Sequence, residues 1–218
     1  MKTAIICAME RESDALLGYA QNVRAEKRSG VEIYTGTISG KEVAVCRSGV
    51  GKAFAAAATA VLIERFSPEA IISSGVAGGD ASLKPGTVFI ASRSVEHDYF
   101  VPDEQVRYFP SDQTLLYRAQ EACLSEKCEF FAGTIASGDC FVTGEQKIAE
   151  LKHRFSALAF DMECAAIMKI CAAAGVKSVC IRVISDNGND DGMKSYYDFL
   201  DRAAHRSAHI IAKMLEKM

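Results

Sequence analysis

Short apolar runs of strand length return along the whole chain, separated for the most part by longer stretches with helical character. Thr3–Met9, Ala70–Ser74, Thr87–Ser92, Phe130–Ala136, Ala157–Phe160 and Ser178–Ile184 read as strands, each bounded by Gly, Pro or polar residues. About Glu10–Ala20, Lys52–Phe66, Gln113–Leu124, Met162–Ala174 and Ser195–Lys217 read as helices. The second is Ala-rich from Ala53 to Ile63, and Pro68 and Gly175 supply stops. Strands that alternate with helices in this way bury a central sheet between two helical layers. Val31–Ile38 and Glu42–Arg47, rich in β-formers, flank Ser39-Gly40-Lys41 and predict a hairpin, which makes the sheet mixed. The expectation is a three-layer α/β/α sandwich around a mixed, largely parallel sheet. No Gly/Ser/Pro-rich linker, low-complexity tract or repeat divides the 218 residues, so residues 1–218 are expected to form a single domain.

Several function classes fall away at this point. Lys and Arg total 25 against 28 Asp and Glu, with no long basic block, so neither a nucleic-acid surface nor a membrane-surface patch is expected. The longest apolar stretches are interrupted by Thr59, Glu64 and Ser73, short of the ~20 residues a membrane span needs. Met1-Lys2-Thr3 leads straight into a strand and then acidic residues, not a signal peptide. None of the eight cysteines forms a C-x-x-C pair, and Cys7, Cys46, Cys164, Cys171 and Cys180 sit in apolar runs, where a free thiol behaves as a small hydrophobe. A reduced, cytoplasmic chain is therefore expected. His205 and His209 share a helix face at i,i+4, but Arg206-Ser207-Ala208 supplies no glutamate and no third ligand follows, so no metal is expected.

In open α/β sheets ligands bind beyond the carboxyl ends of strands. Those ends carry Ala8-Met9-Glu10-Arg11-Glu12, then Ser73-Ser74-Gly75-Val76-Ala77-Gly78-Gly79 and Ser137-Gly138-Asp139-Cys140-Phe141-Val142. Beyond the last two strands lie Asp161-Met162-Glu163 and Ser185-Asp186-Asn187. Each combines small residues, which let backbone approach a ligand, with carboxylates. Taken singly, Glu12 and Glu163 read as helix N-terminal acids, Gly75–Gly79 as a strand-to-loop turn or a weak phosphate cradle, Asp186 as a turn residue, and Phe141 as core. Together they suggest a carboxylate-lined pocket at the sheet edge.

The set also occurs in a recognisable order. Ala8-Met9-Glu10-x-Glu12, Ser48-Gly49-Val50-Gly51-Lys52, Ser74-Gly75-Val76-Ala77-Gly78-Gly79, Ser137-Gly138-Asp139-x-Phe141, Met162-Glu163 and Arg182-x-Ile184-Ser185-Asp186 together resemble the 5'-methylthioadenosine/S-adenosylhomocysteine nucleosidases of the nucleoside phosphorylase superfamily. The resemblance spans nearly the whole chain. It implies an α/β/α fold, a homodimer whose partner subunit contributes to the 5'-substituent pocket, a small-molecule nucleoside substrate, no cofactor, and hydrolysis of the bond between adenine and a 5'-thio-substituted ribose. By the same resemblance Asp186 is the general acid that protonates N7 of adenine, with Ser185 and Arg182 orienting it and bordering the water site. Glu12 is the base that activates water, and Glu163 grips the 2' and 3' hydroxyls. Met162 packs on the sugar, Met9 is a further substrate-binding residue, Phe141 stacks on the base, the Val142 backbone reads its 6-amino edge, and Gly78 lies in a glycine turn beside base and sugar.

Two positions depart from the commonest family pattern. Val76 stands where many members carry Ser, and Asp161 replaces Glu before Met162. The segment after Glu96-His97-Asp98, with Tyr99, Phe100, Val101 and Pro102 as apolar candidates for the 5' pocket, is shorter than in many relatives. Three alternatives remain at this stage: futalosine or aminodeoxyfutalosine hydrolysis, phosphorolysis with Arg11 and Arg47 as candidate phosphate ligands, and a catalytically silent nucleoside-binding protein.

Overall fold

The computed structural model describes residues 3–187 and 192–218, with the side chains of 192–196 and 198 outside that description. The strands are β1 (Thr3–Cys7), β2 (Ala20–Arg28), β3 (Val31–Ile38), β4 (Lys41–Arg47), β5 (Ala70–Gly79), β6 (Val88–Glu96), β7 (Tyr108–Pro110), β8 (Phe130–Ser137), β9 (Ala157–Asp161) and β10 (Lys177–Asp186). The helices are α1 (Glu10–Leu17), α2 (Lys52–Phe66), α3 (Gln113–Ser125), α4 (Glu145–Phe155), α5 (Cys164–Ala174) and α6 (Gly192–Glu216).

At the centre, β4, β1, β5 and β10 run parallel, as expected when helices connect them. The predicted hairpin is present as the antiparallel β3–β4 pair, and β2 extends it. Beyond β10 the sheet curls through β6, β8 and β9 and returns to β5, where Gly78 and Gly79 pair with Phe160 and Ala159. Ten strands thus form a mixed sheet whose far half closes into a ring.

Alternation along the strands assigns the two faces. Ile5 and Cys7, Val43 and Val45, and Ala70 and Ile72 pack under α1, α3 and α6. Ala4 and Ile6, Ala44 and Cys46, and Ile71 pack under α2 and α5. Successive side chains in a strand point to opposite faces, so a parallel sheet covered on both sides needs the unbroken apolar runs seen in the sequence. Each fully buried Ile, Val or Leu contributes roughly 1.5–3 kcal/mol. All eight cysteines are free thiols, six of them buried, including the five read as small core hydrophobes. Among the described residues no helix is long and apolar enough to cross a membrane.

Three elements lie outside the sequence expectations. β2 is polar and largely exposed, an edge strand bulged between Gln21 and Arg24, with Asn22 at φ 56°. Its charges protect the edge from further pairing and hide it from hydrophobic periodicity. β7 has three residues. α4 buries Ile148, Leu151 and Phe155, an i, i+3, i+7 stripe that does mark it in the sequence. A correction concerns β5, which runs on through Gly75–Gly79 instead of ending in a turn at Ser74. Pairing with β10 along one side and β9 at its tip satisfies the backbone there, and none of these glycines has positive φ.

Candidate active site

β5 is the shared wall of one cleft, because β1, β10 and β9 all pair with it and end beside it. Ala8, Met9, Glu12, Val50, Val76, Ala77, Gly78, Cys140, Phe141, Val142, Phe160, Asp161, Met162, Glu163 and Ser185 line the cleft. Met9, Glu12, Gly78, Phe141, Val142, Met162, Glu163 and Ser185, eight of the residues singled out in the sequence, therefore meet at one place.

Glu12 stands in the first turn of α1 and is buried. One carboxylate oxygen accepts the N–H groups of Ala8 and Met9, both at 2.9 Å, and the other accepts the Val76 N–H at 3.1 Å. The helix-terminal acid reading is thus half the account, since the same carboxylate is also held from across the cleft by β5. A Cβ on Gly75 would stand 2.5 Å from Oε1, so this glycine is demanded by the carboxylate's approach, not by a turn. Burial raises the Glu12 pKa, opposed by the Arg182 charge and the three backbone donors.

Glu163 is the N-cap residue of α5, but its side chain makes no capping bond to that helix. Its Oε1 accepts the N–H of Gly51 at 2.9 Å, at the start of α2. Gly51 has φ 102°, and a Cβ there would lie 3.0 Å from an oxygen of Asp139. Burial, with the Asp161 charge adding to it, raises the Glu163 pKa.

Arg182 lies on β10, 3% exposed, outside the cleft lining. Its Nε and Nη2 donate to Asp161 Oδ2 at 3.1 and 2.7 Å. Asp161 also accepts Ser137 Oγ at 2.5 Å and the Cys164 N–H at 3.0 Å. The shorter acid thus keeps the arginine as its partner. Asp161, Cys164 and Cys180 converge within 4.8 Å, but Arg182 already fills the charged carboxylate and burial raises the Cys164 thiol well above its ordinary pKa. This donor set suits a guanidinium, not a metal ion. The His205/His209 pair leads elsewhere: His209 meets Tyr19 Oη at 3.2 Å and Glu126 at 2.8 Å, and His205 is exposed.

Asp186 ends β10 and has no exposed surface. The β10–β5 register slips between Ile184 and Asp186, which leaves Ser185 as an extra residue, and such bulges re-aim side chains. Ser185 Oγ lies 2.9 Å from Asp186 Oδ2 and 3.2 Å from the Ala77 carbonyl. Asp186 pairs with Gly78, and a Cβ on Gly78 would come within 3.3 Å of Oδ1. Gly75 and Gly78, three residues apart on one strand, therefore leave room for Glu12 and Asp186 respectively.

Beyond β8 the 138–142 segment carries Phe141, 38% exposed at the rim, and the buried Val142. Sequence reasoning missed three parts of this arrangement: the Gly51 N–H as Glu163's partner, Ser137 on Asp161, and Val50 and Cys140 in the lining. Gly51 and Ser137 stand inside quoted motifs, but their contacts span 112 and 24 residues, a distance no local pattern reports.

Comparisons with known proteins find relatives of this fold along its whole length. The profile of the phosphorylase superfamily matches residues 2–216. A 5'-methylthioadenosine/S-adenosylhomocysteine nucleosidase of Neisseria meningitidis, solved in complex with methylthio-immucillin-A, is 33% identical, covers 100% of this chain and 99% of its own, and superposes with a TM-score of 0.94. The S-adenosylhomocysteine nucleosidase of Streptococcus pyogenes, in complex with 5-methylthiotubericidin, is 34% identical over 100% and 97%, with a TM-score of 0.94. A futalosine hydrolase of Helicobacter pylori is 27% identical over 100% and 98%, with a TM-score of 0.95.

Proposed function

The chain belongs to the phosphorylase superfamily, among its 5'-methylthioadenosine/S-adenosylhomocysteine nucleosidases, and from that premise we propose that it hydrolyses 5'-methylthioadenosine and S-adenosylhomocysteine to adenine and the 5-thio-substituted ribose. Nucleoside hydrolysis is the class of activity; the thio-nucleosides are the substrates we assign to it. The observation that carries the reading is that Glu12 and Glu163 line one cleft while Asp186, buried at the end of β10, pairs with the lining residue Gly78, and that Glu12 and Asp186 are each fitted against a glycine of β5.

Cleavage of a purine–ribose bond passes through a cationic, oxocarbenium-like sugar, so the catalyst protonates the leaving base, delivers water and stabilises positive charge. Asp186, steadied by Ser185, protonates N7, so that adenine leaves neutral. Phe141 stacks on the base, the Val142 backbone reads its 6-amino edge, and Gly78 lets the purine approach. Glu163 has one oxygen committed to Gly51 and offers the other to the ribose hydroxyls, with Met162 and Met9 against the sugar and its thio substituent. Glu12, its orientation fixed by three N–H donors, takes the proton of the attacking water. Arg182 acts at one remove as a buried charge that favours the ionised form of Glu12.

Phosphorolysis is the competing chemistry, and the two candidate phosphate ligands are engaged elsewhere. Arg47 donates to Glu10, Glu32, Asp14 and Ser13, and Arg11 pairs with Asp201. Neither lines the cleft, whose lining among the described residues holds the Glu12 carboxyl and no Arg or Lys. Adenine release from methylthioadenosine is therefore expected to proceed at full rate in phosphate-free buffer; strict dependence on added phosphate overturns the hydrolase reading. Aminodeoxyfutalosine, assayed in parallel with both thio-nucleosides, tests the substrate assignment: preferential turnover of aminodeoxyfutalosine overturns it.

We also assign a cytoplasmic location, which the eight free thiols support, and a homodimer in which the partner subunit completes the 5' pocket. Exposed Val50 in the cleft lining, Phe54 on α2, and Tyr99 and Phe100 beyond β6 support the dimer. Sedimentation is expected to give twice the chain mass, and a monomer that retains full activity overturns it.

A further inference from the structure

We propose that Asp98 is a positioning residue for the nucleoside site, fastening the purine-side segment 138–142 to the ribose-side start of α2. The inference rests on the hydrolase reading above and extends it to a residue outside the cleft lining.

Three residues form a closed circuit. Asp98, just past β6, accepts the backbone N–H of Asp139 on Oδ2 at 2.8 Å and Lys52 Nζ on Oδ1 at 2.5 Å. Asp139 in turn accepts the Lys52 backbone N–H on Oδ1 at 2.7 Å, which caps α2. Two members of the circuit, Lys52 and Asp139, adjoin binding groups. Gly51, next to Lys52, donates to Glu163, while Cys140 and Phe141 follow Asp139 in the cleft lining. A shift of Asp98 therefore moves base shelf and ribose clamp together.

The fit leaves no slack. A Cβ on Gly138 would lie 2.4 Å from the buried His97 ring and 3.0 Å from Asp98, so the 138–142 segment sits backbone-on-side-chain against the end of β6. The His97 N–H also donates to the Ser137 carbonyl at 2.9 Å. Lys52 reaches Glu96 at 3.2 Å, and Glu96 takes Lys169 at 2.7 Å on its second oxygen, which ties α5 to the same anchor. Burial works against the charge on Asp98, but Lys52 and the Asp139 N–H outweigh it and hold the carboxyl below its ordinary range. Charge-assisted hydrogen bonds are the strong ones, and a segment ordered before ligand arrives spares the ligand that ordering. Asp98 touches no reacting atom, so its effect belongs in binding and not in the chemical step.

The test is Asp98→Ala on the full-length enzyme, with steady-state kinetics on methylthioadenosine and equilibrium binding of adenine. KM and the adenine dissociation constant are expected to rise together by about tenfold, with kcat held within about threefold. Asp98→Asn keeps an acceptor for Asp139 but loses the charge facing Lys52, and is expected to fall between. Lys52→Met combined with Asp98→Asn is expected to be less than additive. A merely structural role lowers the unfolding midpoint and leaves the KM-to-kcat split unmoved. That result, or unchanged adenine affinity in both Asp98 variants, overturns the proposal, and Asp98→Asn decides it if the alanine variant does not fold. A wild-type protein that binds neither adenine nor methylthioadenosine overturns the hydrolase reading as well, so the two failures are distinguishable.

Discussion

Replacing Asp186 by Asn is expected to lower kcat for methylthioadenosine by at least ~100-fold while adenine still binds. Asparagine has nearly the same shape and keeps an oxygen for the Ser185 hydroxyl 2.9 Å away, so the bulge at the end of β10 should persist. What it lacks is an acidic proton. Without protonation at N7 the purine must leave as an anion, and the sugar cation develops against a poorer leaving group. The measurement is adenine release at saturating substrate, beside circular dichroism to show that the fold is intact. Activity within about threefold of wild type removes Asp186 from the role of acid.

Glu12→Gln is expected to cost about 1000-fold in kcat, inside the range for loss of a general base. Three backbone donors converge on the two oxygens of Glu12, and an amide presents only one acceptor to them. The variant therefore also leaves a buried N–H poorly paired, at roughly 1–3 kcal/mol. Gly75→Ala reaches the same group sterically, since its methyl carbon falls 2.5 Å from Oε1. Displacing the carboxylate by even a fraction of an ångström is expected to lower kcat by about 10–100-fold with both acidic residues still present. The pH profile supplies the sign. Burial raises the folded pKa of Glu12 above its ordinary 4.5, so the acid limb of kcat/KM for the wild type should lie above that value, with activity lost as pH falls through it. Glu12→Gln should abolish this limb in whatever activity remains. For stability the direction reverses: a carboxyl whose folded pKa is raised favours the native state most below its unfolded pKa, and that contribution disappears as pH rises through the folded one. A variant as active as wild type, with its acid limb in place, removes Glu12 from the mechanism.

Most of the layered architecture was legible because buried parallel strands require unbroken apolar runs and their helices carry stops such as Gly175. The reading failed where a different physical rule governs. β2 is a strand because β3 offers it a pairing edge, and its charged side chains carry no periodic signal. Gly75–Gly79 reads as a turn because glycine most often marks one, whereas here it makes room for two carboxylates and continues the strand. α4 was within reach, its Ile148, Leu151 and Phe155 stripe being an ordinary amphipathic pattern. In the site, the residue types and their order exposed eight lining residues. The partnership of Arg182 with Asp161 instead of Asp186, and that of Glu163 with Gly51, arise from packing between elements far apart in the chain.

The closure of the sheet ring has a consequence for how the protein comes into being. β10 lies between β5 and β6, and among the described strands it is the last to be synthesised. Until residues 177–186 emerge, β5 and β6 both present open hydrogen-bonding edges, and neither Ser185 nor Asp186 has been synthesised. The ring therefore closes only once β10 has been made, and a partly made chain that lacks it offers two unpaired strand edges to other chains.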